Sequence, residues 1–489
     1  MEQHDYSCGR CLQFLNLMMD TSLSGQYDRA CERFADRTAF VTLDGQEISF
    51  ARMGEMERSI AANLIEAGVT EGDVITATFE NPTIYFLLAF ATLRIGATFA
   101  VVYSADMSIQ QGVKIDKVVC VADVPSQLAE NIYFDQSWLD RKDVNLPKKS
   151  GKFISPSSGT TGNQKYYQFD ESAFMLWNSP ILDLDNPKYV DFLVTIPVFS
   201  IFTLAIIVQA HMNGGAFLLA KENAEKTLDS LREREKVDIV AIPNMLLEIL
   251  EAIENGYPPP TNIGQIMTSG SSVTRNYAQK VEGIFKCPFV NIYGATETGG
   301  GALPRPAEVD VENGYIGFPL DGIEMRLVDD IGQEPPTGVE GELLVRADKT
   351  WQAEKILVGE SPYDDDGWFH PGDVGYRLPN GAIVVTGRIS ELINSYGTKV
   401  TPSTYEAHVK RTLGISEVVA FGVPNDIGSE DVALAITAPL EDEATALTQL
   451  KTGAVAQISF HFFPVEKIPY NQHGKIDRLK LREMYSEAS

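Results

Sequence analysis

Up to about residue 300, two spacings of apolar side chains take turns along the chain. Arg29 to Phe40 reads as a helix running into a strand, and Ala39–Leu43 and Glu47–Phe50 flank Asp44-Gly45 in a hairpin pattern. Apolar residues return at helical spacing from Arg52 to Ala67, and Gly68 supplies a stop. Asp73–Phe79 then predicts a strand, Pro82–Ile95 a helix and Ala97–Val102 another strand. The rhythm resumes past residue 190, with strands predicted at Asp191–Ile196, Ala216–Leu219, Val237–Ile242, Ile263–Thr268 and Pro288–Ile292. Helices predicted at Phe202–Met212, Leu228–Lys236 and Met245–Ile253 fall between them. Strand and helix in alternation require crossovers, hence a largely parallel sheet. In open sheets of that kind, ligands sit beyond the carboxyl ends of the strands.

After about residue 300 the texture changes. Proline and glycine become frequent, and short strands follow closely at Glu324–Val328, Gly341–Val345 and Ala382–Thr386, which predicts a β-rich lobe. From Ile389 a strand-helix-strand succession runs to about Leu481. A boundary is therefore expected near Gly387-Arg388, between a domain of residues 1–387 and a small one of 388–489.

Composition narrows the partners. The 489 residues are 44% hydrophobic and 22% charged, enough for several sizeable cores. A net charge of −27 argues against a nucleic-acid partner and an anionic membrane surface, though not against an anionic small molecule, which needs only a local positive field. Five scattered cysteines fit reduced thiols and a cytoplasmic protein; Cys8 and Cys11 have a Cys-x-x-Cys spacing, but no second pair completes a zinc site. The opening Met1–Asp5 lacks the basic region of a signal peptide. The longest apolar run, Phe192 to Ala210, is interrupted by Pro197, Ser200 and Thr203, and is expected to be a strand and then a buried helix, not a membrane span.

Four polar stretches carry candidate chemistry. Ser155 to Lys165 packs hydroxyls, two glycines and a lysine between Phe153-Ile154 and Tyr166-Tyr167, the composition of a loop that brings backbone N–H groups and hydroxyls to a polyphosphate. It is not a Walker loop, since no Gly-Lys-Ser/Thr closes it, and on composition alone a solvated linker reads equally well. Tyr293-Gly-Ala-Thr-Glu297 follows a strand, with Thr296 a donor toward phosphate and Glu297 a ligand for Mg²⁺; an ordinary turn has the same residues. Gly367-Trp-Phe-His-Pro-Gly-Asp373 ends in an acid able to accept both hydroxyls of a ribose, or merely to stabilise a turn. Pro469 to Lys475 presents a lysine in a polar loop, beside a glycine.

Together these stretches resemble the adenylate-forming superfamily of acyl- and aryl-CoA ligases, peptide-synthetase adenylation domains and luciferases. The resemblance rests on Ser158-Gly-Thr-Thr-Gly162, Tyr293 to Glu297, Gly341 to Val345, Gly367 to Asp373, Gly387-Arg388 and Gly474-Lys475, which occur in the family's order from near residue 33 to the end. It implies an α/β protein: a large N-terminal domain of two αβ sheets layered with helices plus a β-rich lobe, and a small mobile α+β C-terminal domain. It implies that a carboxylic acid is joined to the α-phosphate of ATP with release of pyrophosphate, then passed to the thiol of CoA or of a carrier protein's phosphopantetheine. By residue match, Ser158, Gly159, Thr160, Thr161, Gly162 and Lys165 take the β- and γ-phosphates, Glu297 takes Mg²⁺ and Thr296 the α-phosphate. Gly270, Ser271, Ser272, Asn291, Tyr293, Gly294 and Ala295 flank adenine and acyl group, Asp373 binds ribose with Arg388, and Lys475 bridges the carboxylate and α-phosphate. Ser395, Tyr396 and Gly397 line the thiol tunnel, and Phe199, Ser200, Gly270 and Gly294 the acyl pocket.

The chain also departs from the family's pattern. The hinge position, usually Asp or Lys, is Ser390 with Glu391 next, and the phosphate loop has Gln164 and Tyr166 where Pro and Gly are usual. Ser200 stands about where amino-acid-activating relatives place an Asp against the α-ammonium, which favours an acid without an α-amino group; Phe199, Ile201 and Phe202 suit an aliphatic or aryl acid, or plain core. An amide synthetase with an amine acceptor and a catalytically weak nucleotide-binding regulatory protein are the alternatives.

Overall fold

The computed structural model describes residues 22–488, apart from 79–80, 122–124, 142–145, 158–164, 173–188, 196–198, 242, 270–272, 274, 300, 304–313, 321, 349–351, 396–397, 416, 426–428, 439, 452–457 and 471–475. Two sheets and the helices between them make up the larger part. In the seven-stranded sheet the spatial order is Lys355–Val358, Tyr166–Asp170, Lys152–Pro156, Thr98–Ala100, Val74–Thr78, Lys117–Cys120, Glu130–Tyr133. Its last five strands run parallel, whereas Lys152–Pro156 and Tyr166–Asp170 pair antiparallel. The hydroxyl-rich stretch is therefore the connection of a β-hairpin, with Pro156 opposite Tyr166 and Ser155 opposite Tyr167.

In the thirteen-stranded sheet, Thr38–Val41, Phe217–Leu219, Asp191–Val194, Val237–Val240, Ile263–Ser269 and Phe289–Gly294 form a parallel core. The strands of the β-rich lobe continue the same sheet without a break, through the antiparallel pairing of Tyr293 with Ala302 and Gly294 with Gly301.

The helices lie where local sequence and burial agree. Asn81 Oδ1 accepts the N–H groups of Thr83 and Ile84, Pro82 occupies the first turn, and Gly96 closes the Pro82–Ile95 helix at φ +85°. That helix is buried nearly all round, as is Ile201–Met212, because both lie between the sheets. Phe99, Phe153 and Tyr167 from one sheet share a core with Phe40, Phe192 and Phe217 from the other. Arg94 is buried in this layer, its guanidinium forked between Glu57 at 2.8 Å and Asp28 at 2.8 Å. The Phe192–Ala210 run resolves into Asp191–Val194 and the helix starting at Ile201, and no helix among the described residues is long and apolar enough to cross a membrane.

Some predicted boundaries move. Phe50 is the first residue of the Phe50–Glu66 helix, not the end of a strand, because Ser49 caps that helix through its hydroxyl. The helix expected at Leu228–Lys236 runs from Ala224 to Arg232, started by the Asn223 side chain. Past Arg388 the chain forms a three-stranded sheet, with Val418–Pro424 antiparallel to Glu430–Ile436 and Phe460–Pro464 parallel to it. The Pro402–Leu413, Glu443–Leu450 and Arg478–Ala488 helices flank this sheet, and the side chains of these elements build hydrophobic clusters of their own.

Glu171 follows the second hairpin strand and is 4% exposed; its carboxylate accepts the N–H groups of Leu23, which opens the Leu23–Arg33 helix, at 3.1 Å, and of Gly151 at 3.3 Å. Burial outweighs these bonds and pushes its pKa up from 4.5 to about 7. A carboxyl whose folded pKa is raised stabilises the fold fully below pH 4.5 and loses that contribution as pH rises through about 7. Stability relative to Glu171→Gln is thus expected to fall by roughly 3 kcal/mol across that window. Urea unfolding of both proteins at several pH values checks this; a constant difference would refute it.

Candidate active site

The site gathers at the carboxyl end of Phe289–Gly294 and the facing edge of the lobe. Asp373 opens Asp373–Arg377 and sits directly opposite Arg388 in the antiparallel pairing with Ile383–Arg388. That register brings Arg388 Nε to 3.0 Å from Asp373 Oδ1. The other carboxylate oxygen accepts the Tyr293 hydroxyl at 2.5 Å. Burial, and then the Asp373 charge, push the Tyr293 hydroxyl well above the ordinary tyrosine value, so it stays a proton donor.

That short bond depends on curvature. From Asp373–Arg377 to Phe289–Gly294 is four strand steps, by way of Ile383–Arg388, Tyr315–Pro319 and Gly301–Leu303. On a flat sheet four steps span about 19 Å, beyond the reach of a tyrosine. Two register shifts lie in this stretch, one between Tyr315 and Gly317 and one between Val374 and Gly375. Such irregularities bend a strand and raise its twist. Glycine is required at both: Gly317 has φ +84°, and a Cβ on Gly375 would stand 2.1 Å from the carbonyl oxygen of Val384.

Glu297 lies beside this cluster at 9% exposure. Burial raises its pKa, while the nearby Tyr167 hydroxyl and the charges of Lys165 and Arg388 pull the other way. It forms no ion pair among the described residues. The Tyr363 hydroxyl holds its backbone by donating to the Glu297 carbonyl at 2.5 Å. The Tyr167 hydroxyl is buried nearby without a well-formed hydrogen bond. Lys165 stands at the mouth of the hairpin connection, where its carbonyl accepts the Ser157 N–H at 2.8 Å. Its stem packs on Gly359, where a Cβ would come to 3.0 Å from Lys165 Cγ.

Lys165, Tyr293, Glu297, Asp373 and Arg388 are thus brought together. Asn291 is buried on the same strand, Gly294 ends that strand, and Ala295 and Thr296 are half-buried in the turn after it. Phe199 meets Tyr85 and Tyr103 edge-on, with ring centroids at 5.0 and 5.9 Å. Ser200 caps the Ile201–Met212 helix, its hydroxyl accepting the Phe202 N–H at 3.3 Å. Ser390 is exposed in the tight turn Ile389–Glu391, and Ser395 ends the short strand Ile393–Ser395. Residues 158–162, 270–272, 396–397 and Lys475 lie outside the described residues. The loop of Lys475 is nonetheless closed at its base by a bridge between Tyr470 and Ile476 and by Asp477 N–H donating to the Pro469 carbonyl at 2.9 Å.

Tyr167, Gly359 and Tyr363 were not foreseen. The aromatic pair beside the hydroxyl-rich stretch was a signal for Tyr167. Gly359 and Tyr363 belong to a segment whose Lys355–Val358 strand pairs with Tyr166–Asp170, and nothing local in the sequence announces that.

This is an α/β scaffold with acid, arginine and hydroxyl groups gathered at strand ends, the setting of a nucleotide site. The AMP-binding enzyme family matches residues 27–108 and 104–352, and the chain belongs to that family. Its curated relatives include the 2-succinylbenzoate–CoA ligase of Listeria monocytogenes serovar 1/2a, 27% identical over 478 residues that cover 93% of this chain and 98% of the ligase. The fatty acid–[acyl-carrier-protein] ligase ScoC of Streptomyces coeruleorubidus is 27% identical over 355 residues, 67% of this chain and 66% of ScoC. Among solved structures, ATP-bound MatB from Rhodopseudomonas palustris has the same fold, with a TM-score of 0.81 over 95% of this chain and 99% of MatB at 21% identity.

Removing the Tyr293 hydroxyl alone leaves Asp373 with one fewer donor in an enclosed site. Tyr293→Phe is expected to lower unfolding free energy by about 1.5–3 kcal/mol, the range for a hydrogen bond to a charged group. Urea denaturation measures it, and a change under about 0.5 kcal/mol, the level of an ordinary surface substitution, would mean that the bond contributes nothing.

Proposed function

We propose that this protein is an AMP-forming acid–thiol ligase, which activates a carboxylic acid with ATP and passes the acyl group to CoA or to a carrier-protein phosphopantetheine. The observation that carries the reading is the Asp373 carboxylate, held by Tyr293 and Arg388 beside the buried Glu297 on a chain of the AMP-binding family. Kinship with a CoA ligase along nearly its whole length supports the thiol acceptor, and kinship with a carrier-protein ligase keeps both thiol carriers in view.

The chemistry follows from charge. A carboxylate oxygen attacks the α-phosphorus of ATP, the bond from that phosphorus to the bridging oxygen breaks, and pyrophosphate leaves with the electron pair. Two anions must meet, so the site supplies positive charge, fixed donors and exclusion of water. Ser158 to Gly162 and Lys165 hold the β- and γ-phosphates, and Thr296 takes the α-phosphate. Asp373 accepts the ribose hydroxyls, and Arg388 fixes that carboxylate. Glu297, an oxygen donor buried without an ion-pair partner among the described residues, fits Mg²⁺, which when bound offsets phosphate charge. Lys475 sits between the substrate carboxylate and the α-phosphate in this step. In the second step the thiol sulfur attacks the acyl carbon, the bond to the AMP oxygen breaks, and the thiol proton passes to solvent.

Residues 388–489 form the mobile domain that presents Lys475 first and the Ser395–Gly397 stretch to the thiol afterwards, turning at Ser390. The acid lacks an α-amino group: Ser200 carries no charge, its hydroxyl is engaged by Phe202, and Phe199 lies among tyrosine rings. An uncompensated ammonium there is costly.

Pyrophosphate release screened across aryl, aliphatic and dicarboxylic acids tests the reading, and repetition with CoA, carrier protein and amines identifies the acceptor. No release with any acid would defeat it. Lys475→Ala is expected to lose acid-dependent pyrophosphate release by a factor on the order of 10²–10³, the usual cost of one preorganised donor. It should still transfer the acyl group from a chemically prepared acyl-adenylate to thiol; normal release by Lys475→Ala would remove the lysine from its role.

A further inference from the structure

Arg478 stands three positions after Lys475, and its guanidinium joins three separate segments. Nε donates to the carbonyl of Ala420 at 3.1 Å, Nη1 to Glu391 Oε2 at 3.0 Å and Nη2 to Glu406 Oε1 at 2.8 Å. Its side chain is 18% exposed, and those of Glu391 and Glu406 are 30% and 15%. Glu406 belongs to the Pro402–Leu413 helix and also accepts the Ala420 N–H at 3.1 Å, which makes a closed network of arginine, acid and strand. Glu391 is the residue directly after Ser390, in the turn that leaves Arg388. A planar fork that engages three acceptors at once is something lysine cannot reproduce.

The two ends of this network matter more than its strength. One is the turn at which the chain leaves the larger lobe. The other is the foot of the loop that carries Lys475, already closed by the Tyr470–Ile476 bridge and by Asp477 N–H on the Pro469 carbonyl. We propose that Arg478 is a positioning residue for acid activation: it ties the chain just beyond the Tyr470–Ile476 bridge to Glu391 and Glu406, and so fixes the point from which Lys475 is presented. This rests on the acid-activation reading above. Glu391, Glu406, Ala420 and Arg478 all lie beyond the pivot, so the tie is kept in both orientations. Thiol transfer does not use Lys475 and is therefore insensitive to the tie.

The test separates the two half-reactions in the full-length protein. Acid-dependent pyrophosphate release is measured with the best acid of the screen, and thioester formation with its chemically prepared adenylate and CoA. Arg478→Ala is expected to slow the first by about 10²-fold, the cost of misplacing a reacting group by about an ångström, and to leave the second unchanged. Glu391→Gln reduces one arm from a charge-assisted to a neutral hydrogen bond without changing size and should slow the first about fivefold, with Arg478→Lys between the two. Hydrogen exchange of residues 469–478 gives a readout that needs no substrate: it should accelerate in Arg478→Ala and Glu391→Gln while the Val418–Pro424 and Glu430–Ile436 strands keep their protection. Equal losses in both half-reactions, with exchange rising throughout residues 393–488, would make Arg478 a plain fold support and overturn the proposal. So would unchanged pyrophosphate release in Glu391→Gln, which decides the matter if Arg478→Ala does not fold. If the wild-type protein releases no pyrophosphate with any acid, the activity reading fails, and the exchange data still judge the tie.

Discussion

A hydrogen bond between Tyr293 and Asp373 that a flat sheet could not make is the constraint on which the site depends. The two residues sit four strands apart in one hydrogen-bonded sheet, yet their side chains meet at 2.5 Å. Register shifts at Gly317 and Gly375 give the sheet its local bend, and glycine is needed there because a side chain would violate φ at one and strike a carbonyl at the other. Once the sheet has curled, the parallel half delivers Tyr293 and Glu297 from a strand end, and the antiparallel half delivers Asp373 and Arg388 already in register. The geometry of the Tyr293, Asp373 and Arg388 cluster is thus a consequence of sheet curvature.

The electrostatics have the same local character. A chain with net charge −27 is a poor attractor of anions at long range, and salt screens such fields beyond about 8 Å in any case. What counts is the small set of cations around Glu297 and Asp373, among the described residues Lys165 at the hairpin mouth and Arg388 at the strand end. Arg388 is committed to Asp373, whose carboxylate it orients. Glu297 has no such fixed partner among the described residues, and burial makes its charge expensive. A divalent cation accompanied by phosphate oxygens relieves that cost, whereas a lone anion would increase it. The arrangement favours a ligand that brings its metal with it.

Much of this was legible in the chain because it is encoded locally. Asn81, Pro82 and Gly96 mark both ends of their helix, and the predicted span and the observed one coincide. The α/β class followed from alternating strand and helix patterns, and the glycine- and hydroxyl-rich turns drew attention to strand ends near which Lys165, Tyr293, Glu297, Asp373 and Arg388 gather. Long-range pairing was not legible. The lobe looked like a separate texture, yet its strands continue the parallel sheet through Tyr293 and Ala302, residues that differ from any other turn only in where they end up. Lys355–Val358 likewise reads as an isolated short apolar run, and only the fold places it against Tyr166–Asp170, which brings Gly359 under Lys165 and puts Tyr363 close enough to hold the Glu297 backbone. Ser200 also has a local role, the capping of a helix, that its likeness to a substrate-facing position did not announce.

The proposed pivot can be located from hydrogen bonds alone. Upstream, Arg388 is paired to Asp373, and the Ile389 N–H donates to the Gly372 carbonyl at 2.7 Å, so the backbone through Ile389 belongs to the lobe. Downstream, Glu391 is bound to Arg478, and Ile393 is fully buried in the hydrophobic cluster of the C-terminal segment. Between these two attachments stands Ser390, exposed and uncharged. At this proposed turning point the chain has a small residue with no long-range electrostatic preference for either orientation. The charge beside it, on Glu391, is paired with Arg478. If the C-terminal segment turns there as proposed, orientation is decided by what occupies the site: the phosphates before the anhydride forms, and their departure as pyrophosphate afterwards.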